Sequence, residues 1–144
     1  MNLRILSLAL AAVLAVGPAI AQDDIVIRST RAQVEAFAGA PVETVSRRPL
    51  RNNERWETIP DYAVLIWESP TKVWLLDLER DGDARCQDLS SEYLMHLDTG
   101  SQWLSSRSGN IVLRNGWCKI TAIRPVDGRA LRQARKSQGV GSPY

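Results

Sequence analysis

The sequence feature that most constrains the fold is the dipeptide Asn115-Gly116, which lies between two runs of alternating apolar residues. Asn-Gly is the strongest short-range signal for a two-residue β-hairpin turn, because both residues of that turn adopt a positive φ. A turn at these residues pairs Leu113 with Cys118 and Ile111 with Ile120. Since side chains alternate between the two faces of a strand, these four apolar residues share the core face. The dipeptide therefore predicts an antiparallel sheet.

The opposite face of the predicted hairpin is more polar and carries Val112, Arg114, Trp117 and Lys119. There, Arg114 can lie over the ring of Trp117 in a cation–π contact. The chain has five Trp and one Phe. Most Trp residues of a small domain fill the core, but an exposed Trp offers a large, amphipathic contact surface. We expect Trp103 and Trp117 to be the exposed pair, and Trp103, Trp117 and Arg114 form the predicted binding face.

A second pair of apolar runs, 62–67 and 72–78, is rich in β-branched and aromatic residues. The Ser-Pro-Thr sequence between them is a turn signal. If Pro70-Thr71 forms the loop, Trp67 lies opposite Trp74. A cross-strand aromatic pair of this kind contributes about 0.2–1 kcal/mol. The two runs therefore predict a second hairpin in the same sheet.

The N-terminus has the pattern of a signal peptide. Arg4 precedes an apolar run over 5–16, and Ala19-Ile20-Ala21 supplies the small residues that a signal peptidase recognises. A helix over this run spans about 18 Å, whereas the hydrocarbon core of a bilayer is about 30 Å thick. We expect cleavage near Ala21 and a protein in the periplasm or outside the cell, without a transmembrane anchor after cleavage. An uncleaved N-terminal anchor is the alternative.

The expected export bears on the oxidation state of Cys86 and Cys118, the two cysteines of the chain. An even number of cysteines in an oxidising compartment predicts one disulfide. Closing this loop would stabilise the fold by about 3–4 kcal/mol. Two free buried thiols and a redox-active pair are the alternatives, although the chain has no Cys-x-x-Cys spacing that would lower a thiol pKa.

The sequence predicts an α+β fold, mainly an antiparallel β-sheet of meanders or hairpins with short flanking helices and one disulfide. Ser29 or Thr30 can cap a short early helix, while 25–27 equally fits a strand. Along the chain we distinguish a signal peptide (1–21), an N-terminal lead-in (22–46), a β-rich domain (47–125) and a basic C-terminal helix and tail (126–144).

The stretch from 77 to 88 is acidic, and its spacing is similar to that of a calcium-binding loop. Alternate carboxylates of such a loop converge on one ion, and Gly82 stands where the chain must turn sharply. Ala84 and Arg85 depart from the pattern, and the preceding residues favour a strand where a helix is required. We expect a solvated acidic loop and keep calcium binding as the weaker alternative, with the ligands Asp77, Glu79, Asp81, Asp83 and Asp88.

The sequence offers little for catalysis. His96 is the only histidine, and a lone histidine is more often a surface or packing residue than a general base. The chain contains no Gly-x-Ser-x-Gly motif. A small periplasmic hydrolase that uses His96 is therefore an alternative only, and we expect no cofactor. The net charge of +2 argues against nucleic-acid binding.

Several short motifs are similar to those of a known family. They are Val73-Trp-Leu-Leu-Asp-Leu78, Cys86-Gln-Asp-Leu89, Thr99-Gly-Ser101, Gly116-Trp-Cys-Lys-Ile120 and Ile123-Arg-Pro125. Across roughly residues 47–135 the chain resembles an uncharacterised family of small exported proteobacterial proteins with Cys-x-x-Leu and Gly-x-Cys-x-Ile motifs. Members often have further cysteines near the start of the domain, which this chain lacks. The resemblance implies export, a single small domain and a Cys86–Cys118 bridge, but no activity and no catalytic residue.

These observations predict function only at the level of a class. A small β-rich domain with many Trp residues and no nucleophile–base set is typical of a binding protein. We therefore expect an exported, non-enzymatic domain that binds a periplasmic protein or a small ligand.

Overall fold

The computed structural model describes residues 28–46, 55–92, 95–98 and 103–141. In chain order the elements are α1 (Arg31–Glu35), β1 (Thr44–Ser46), β2 (Arg55–Ile59), β3 (Ala63–Trp67), β4 (Lys72–Leu78), the 3₁₀ helices η1 (Ala84–Gln87) and η2 (Leu89–Ser91), β5 (Met95–Asp98), β6 (Trp103–Ser105), β7 (Asn110–Leu113), β8 (Gly116–Asp127) and α2 (Gly128–Ser137). The predicted signal peptide (1–21), the strand alternative at 25–27 and the end of the tail (142–144) lie outside the described residues. Within those residues, no helix has the length and apolar character needed to cross a membrane.

The strands confirm the predicted antiparallel, α+β class. A six-stranded curled sheet has the order β2-β3-β4-β8-β7-β5, and β1 pairs with β6 in a separate two-stranded sheet. Every strand pair in both sheets is antiparallel. Strand β8 connects the two halves of the large sheet, because residues 116–119 pair with β7 and residues 120–127 pair with β4.

The large sheet has an inner and an outer face, which we define by the residues packed on them. The inner face lies against a core that β1 and β6 help to close, with Val64, Ile66, Leu76, Leu97, Leu104, Ile111, Cys118, Ile120 and Ile123 among its buried members. The outer face carries a second core where α1 and α2 cover it, formed by Val34, Ile59, Ala63, Leu65, Trp67, Val73, Leu75, Val126 and Leu131. Within the described ranges, helical cover thus extends over only part of the outer face.

Strand β3 lies between the two cores. All five of its residues are buried, and they alternate between the inner and the outer core. Strands covered on both faces are apolar throughout instead of alternating with polar residues. This double cover explains the uninterrupted apolar sequence of 63–67.

A β-bulge in β8 keeps the strand in both halves of the sheet. The register with β4 shifts between Asp77 and Leu78, which inserts one extra residue into β8. The extra residue changes which side chains face outward: Lys119 lies on the outer face before the bulge, and Val126 after it. Residues on both sides of the bulge therefore contribute to the same outer face of the sheet.

Both α-helices begin at a side-chain cap. Thr30 forms a capping box with Gln33, whose backbone N–H donates to Thr30 Oγ1 at 3.3 Å. Of the two predicted caps, Thr30 therefore fulfils the role, and Ser29 is buried instead. Asp127 caps α2 and accepts hydrogen bonds from the backbone N–H groups of Arg129 and Ala130. Such caps satisfy donors that the first helical turn leaves unpaired.

The hairpin predicted from Asn115-Gly116 is present, but its turn lies one residue earlier. Leu113 pairs with Gly116 and Ile111 with Cys118, so residues 114–115 form the turn and the predicted partners are wrong. Gly116 has a φ of 155°, and Asn115 does not have a positive φ. The register differs from the prediction by two residues. Because side chains alternate with a period of two, each residue still points to the predicted face of the sheet. The four residues predicted to share the core face are accordingly buried.

A contact distant in sequence accompanies this shift. The Arg85 guanidinium donates to the carbonyl oxygen of Asn115 at 2.5 Å. It also occupies the space where a Cβ atom on Gly116 would lie. Gly116 is therefore needed for the close approach of Arg85. Turn preferences, which depend only on neighbouring residues, could not predict this contact.

The second hairpin is also present, but the predicted pairing of Trp67 with Trp74 is wrong. Trp67 pairs with Val73, and Trp74 pairs with Ile66. The loop is one residue longer than predicted, because Ser69 Oγ accepts hydrogen bonds from the backbone N–H groups of Thr71 and Lys72. A one-residue shift exchanges the two faces of a strand. Trp67 accordingly lies in the outer core and Trp74 packs against the inner core.

Candidate functional site

Trp117 is the most exposed large apolar side chain on the uncovered part of the outer face. Its side chain is 57% exposed, whereas the next residue, Cys118, is buried in the inner core. The alternation of β8 produces this difference. Helices α1 and α2 pack on the other half of the sheet. An aromatic ring left in solvent on a sheet is the kind of anchor that binding surfaces use.

A shallow groove of about 270 Å³ lies beside the Trp117 ring. One side is the loop that follows β4, and the other is the beginning of β8. The groove is slightly smaller than the usual small-ligand pocket of about 300–1,000 Å³, so it can hold part of a ligand. Its lining residues are Glu79, Gly82, Asp83, Cys86, Gly116, Trp117, Cys118 and Lys119.

Both cysteines of the predicted disulfide line this groove. Cys86 and Cys118 are joined with an S–S distance of 2.04 Å and a Cα–Cα distance of 5.8 Å. Because Cys86 lies in η1 and Cys118 in β8, the bond fixes the acidic loop against the strand that carries Trp117. The prediction of one Cys86–Cys118 bridge is confirmed.

An ion pair fixes the loop at a second point. Asp83 caps η1 by accepting a hydrogen bond from the Arg85 backbone N–H at 2.9 Å. The Arg85 guanidinium also donates to the Asp83 carboxylate. These hydrogen bonds, the side-chain ones first, lower the pKa of Asp83 to about 2. Asp83 is therefore ionised and already paired at neutral pH.

The other charges of the groove are paired as well. Lys119 Nζ lies 3.6 Å from Glu79 Oε1, and the Glu79 backbone N–H donates to the Lys119 carbonyl oxygen at 2.9 Å. The three charged residues that line the groove, Glu79, Asp83 and Lys119, are thus all in ion pairs, and Arg85, the partner of Asp83, lies outside the lining. The groove combines an apolar ring with hydrogen-bonding groups and has little net charge.

His96 lies on the same outer face as Trp117. Val112 pairs with Trp117 on one side and with His96 on the other, so the three residues form a row across β8, β7 and β5. His96 is exposed.

The predicted binding face divides into two places. Trp103 is 56% exposed on β6, in the two-stranded sheet with Ser46 opposite it, and it does not line the groove. Arg114 is exposed in the turn just before Gly116. The structure therefore places Trp117 at the groove, Arg114 in the turn three residues before it in sequence, and Trp103 on another element.

The candidate calcium ligands are not brought together. Asp77 is buried on the outer side of β4 and binds Arg31 and Arg124. Asp88 caps η2 by accepting from the Ser90 backbone N–H at 2.9 Å. Glu79 and Asp83 are in the ion pairs given above. Among the described residues, no three acidic, histidine or cysteine side chains form a group that could hold a metal ion.

A strained turn, which no sequence pattern indicated, supports the groove loop. Asp61 and Tyr62 have φ angles of 72° and 60°, which are unfavourable for residues other than glycine. Both backbone N–H groups donate to the Gln87 carbonyl oxygen, at 2.9 and 3.1 Å. The side chain of Asp61 forms two hydrogen bonds with Arg80, and these bonds lower the pKa of Asp61. The β2–β3 turn thus holds the end of η1.

A network of ion pairs occupies the covered half of the outer face. Arg31 and Arg124 both bind Asp77, and both also bind Glu35 of α1. Hydrogen bonds from Arg124 and then from Arg31 lower the pKa of Glu35. The network joins α1 to β4 and β8, so these charges serve the attachment of the helix. The sequence shows many arginines and acidic residues, but it does not show which of them pair in this network.

Comparison with known proteins places the chain at the level of a family. No curated protein and no solved structure matched it. A family model covers residues 1–141, almost the whole chain, and includes the groove and both cysteines. The chain therefore belongs to a family of unknown function (DUF6491).

Proposed function

We propose that the protein is an exported, non-enzymatic binding domain whose ligand contacts Trp117. The observation that carries the proposal is the 57% exposed Trp117 ring beside a groove whose two sides are joined by a disulfide. A rigid aromatic anchor loses little conformational entropy when it binds. The uncovered outer face around this anchor is the binding surface.

The paired charges favour a neutral, polar ligand. A charged ligand would compete with the bonds that Asp83 makes to Arg85 and Glu79 makes to Lys119. A sugar ring has an apolar face that can lie on an indole and hydroxyl groups that can bond to Glu79 and Lys119. We therefore assign the groove to one or two units of a saccharide, with an extended peptide as the competing class.

Export is supported by two independent features. The N-terminal residues have the order of charge, apolar run and small residues that signal peptides share. The Cys86–Cys118 disulfide is typical of proteins that fold in oxidising compartments. We place the protein in the periplasm or outside the cell, with cleavage near Ala21.

The ligand proposal is tested by titrating the protein with malto-, cello- and chito-oligosaccharides, and in parallel with a set of uncharged peptides. Binding is followed by Trp fluorescence and calorimetry. We expect Trp117→Ala to weaken binding of a saccharide about 30-fold, the loss typical of a central aromatic anchor. Trp103→Ala is the matched control, because Trp103 is equally exposed, and should leave the affinity unchanged.

Three outcomes separate the possibilities. Equal losses in both Trp variants would show that the groove is not the site. Binding of peptides alone, lost in Trp117→Ala, would retain the binding domain and reject the saccharide class. Turnover of a bound saccharide that disappears in His96→Ala would replace the binding proposal by an enzyme.

The export proposal has its own measurement. N-terminal sequencing of the protein from a periplasmic extract should begin at Gln22, the residue after the expected cleavage site. Thiol alkylation of the same material without reductant should label neither cysteine. An intact Met1 would contradict cleavage, and two labelled cysteines would contradict an oxidising compartment.

A further inference from the structure

The solvent side of α2 carries three cations in one stripe. Arg129, Arg132 and Lys136 are three and four residues apart, a spacing that places side chains on one side of an α-helix. The stripe is about 10 Å long at 1.5 Å per residue. Leu131 and Arg135 are buried on the other side of the helix. We name these three cations the α2 stripe.

None of the three cations of the α2 stripe forms an ion pair with a described residue. In contrast, Arg107 binds Glu43 although the side chains of both are about three-quarters exposed. The sequence from 128 to 144 contains no acidic residue at all. The positive charge of the stripe is therefore not neutralised within the described part of the protein.

Helix stability explains only part of the stripe, because Lys136 lies in the last turn of α2, where the helix dipole favours a cation. Arg129 lies in the first turn of α2, which has no acidic residue. The N-terminus of a helix carries a partial positive charge, so a cation in the first turn is unfavourable. Arg132 is half-buried, and its Nε has no hydrogen-bond partner among the described residues. An external anion would offset the unfavourable position of the Arg129 charge.

We propose that the α2 stripe binds the surface of an anionic phospholipid bilayer. A protein partner would require an apolar centre in the interface. The exposed large apolar side chains of the described residues are Trp103 and Trp117, and neither lies on α2. A plane of lipid phosphates requires only a row of cations that point the same way. Each cation near such a surface raises partitioning about fivefold, so three give weak and reversible attachment.

The test is flotation of the full-length processed protein with vesicles of phosphatidylglycerol and phosphatidylcholine, compared with vesicles of phosphatidylcholine alone. We expect binding to the anionic vesicles only, and release at high salt because the attraction is screened. Replacing Arg129→Gln and Lys136→Gln together should lower partitioning roughly 25-fold, from two cations at about fivefold each. Both side chains are exposed, so thermal unfolding should remain close to that of the wild type.

The matched control removes two paired cations, with Arg28→Gln and Arg107→Gln, whose partners are Asp88 and Glu43. It changes the net charge equally but should leave partitioning within about twofold. Equal losses in the two double variants, or no binding to anionic vesicles at low salt, would overturn the proposal. Release by inorganic phosphate at matched ionic strength would assign the stripe to free phosphate. Stronger stripe-dependent binding of polyglutamate would assign it to an acidic protein.

Discussion

The two halves of the outer face of the sheet are built from the same strand and are stabilised differently. In the covered half, Val126 lies beneath the helices, and ion pairs attach α1 and α2 to the sheet. In the open half, Trp117 is exposed, and the Cys86–Cys118 disulfide ties the strand to the adjacent loop. In the part of the chain that the structure describes, the half without a helical layer is the one with the covalent bond.

This difference has a physical reason. A strand covered on both faces gains hydrophobic stabilisation from both, at about 25 cal/mol per Å² of buried apolar surface. A strand covered on one face gains from that face only. A disulfide compensates by restricting the unfolded chain, and it does so without covering the surface. The open half can therefore remain both ordered and accessible.

Removing the disulfide should produce the largest effect on this comparison. The variant Cys86→Ala with Cys118→Ala should lower the free energy of unfolding by about 3–4 kcal/mol, because the closed loop restricts the unfolded state. Urea unfolding with and without reductant on the wild type gives the matched measurement. Hydrogen exchange should accelerate at Ile111 and Ile120 of the inner core more than at Leu75 of the outer core.

Equal acceleration of exchange in the open and the covered half of the sheet would contradict the assignment of the disulfide to the open half. A decrease of less than about 1 kcal/mol in the free energy of unfolding, the range of a solvent-exposed interaction, would also contradict it.

A comparable change in the covered half is the removal of the Glu57 charge. Glu57 accepts two hydrogen bonds from Arg135, whose side chain is 3% exposed, and one from Trp67 Nε1. The variant Glu57→Gln leaves a buried cation without its counterion, which costs about 3 kcal/mol. Urea unfolding measures the loss. The double variant Glu57→Gln with Arg135→Met should recover part of it, because the unpaired charge is gone, and no recovery would count against a charge effect.

The smallest expected effect is the dependence on acid pH, and it compares the two halves directly. The folded-state pKa of Glu35 lies below its ordinary value of 4.5, and that of Asp83 falls from 3.8 to about 2. A depressed carboxyl pKa contributes stability that is complete above the unfolded value and lost as the pH falls through the folded value. Stability should therefore decline between about pH 5 and about pH 2.

The variants Glu35→Gln and Asp83→Asn should each flatten this decline, Glu35→Gln for the covered half and Asp83→Asn for the open half. Glu35 is partly exposed, so solvent screening limits its share to less than about 1 kcal/mol. Urea midpoints at several pH values provide the measurement. A variant whose midpoint still falls as steeply as that of the wild type would remove its carboxylate from this account.

The sequence contained enough information for the strands of the two hairpins, the core face of the Asn115-Gly116 hairpin and the disulfide. The alternation through Ile111 and Cys118 identified the core side of the hairpin, because a shift of two residues does not change which face is apolar. The pairing of Trp67 could not be obtained in the same way. It depends on hydrogen bonds from the loop to Ser69, and a single added loop residue exchanges the faces.

The groove itself could be predicted only in part. The exposure of Trp117 follows from local alternation, and the sequence analysis selected it. The positions of Glu79 and Lys119 beside it depend on how β4 pairs with β8, across about 40 residues of chain. Contacts such as Arg85 against Gly116 also join distant segments. Periodicity shows which side of a strand is buried, but it does not give the neighbouring strand.

The disulfide also changes how the molecule responds to force. Strands β5, β6 and β7 all lie between Cys86 and Cys118, which are 32 positions apart in sequence but only 5.8 Å apart at their Cα atoms. A pull on the two ends of the oxidised chain passes through the sulfur bond and never stretches these strands. Reduction would release about 100 Å of additional contour length at roughly 3.3–3.6 Å per residue. In an oxidising environment, the part of the chain that carries His96 and Trp103 is thus shielded from tension applied at the ends.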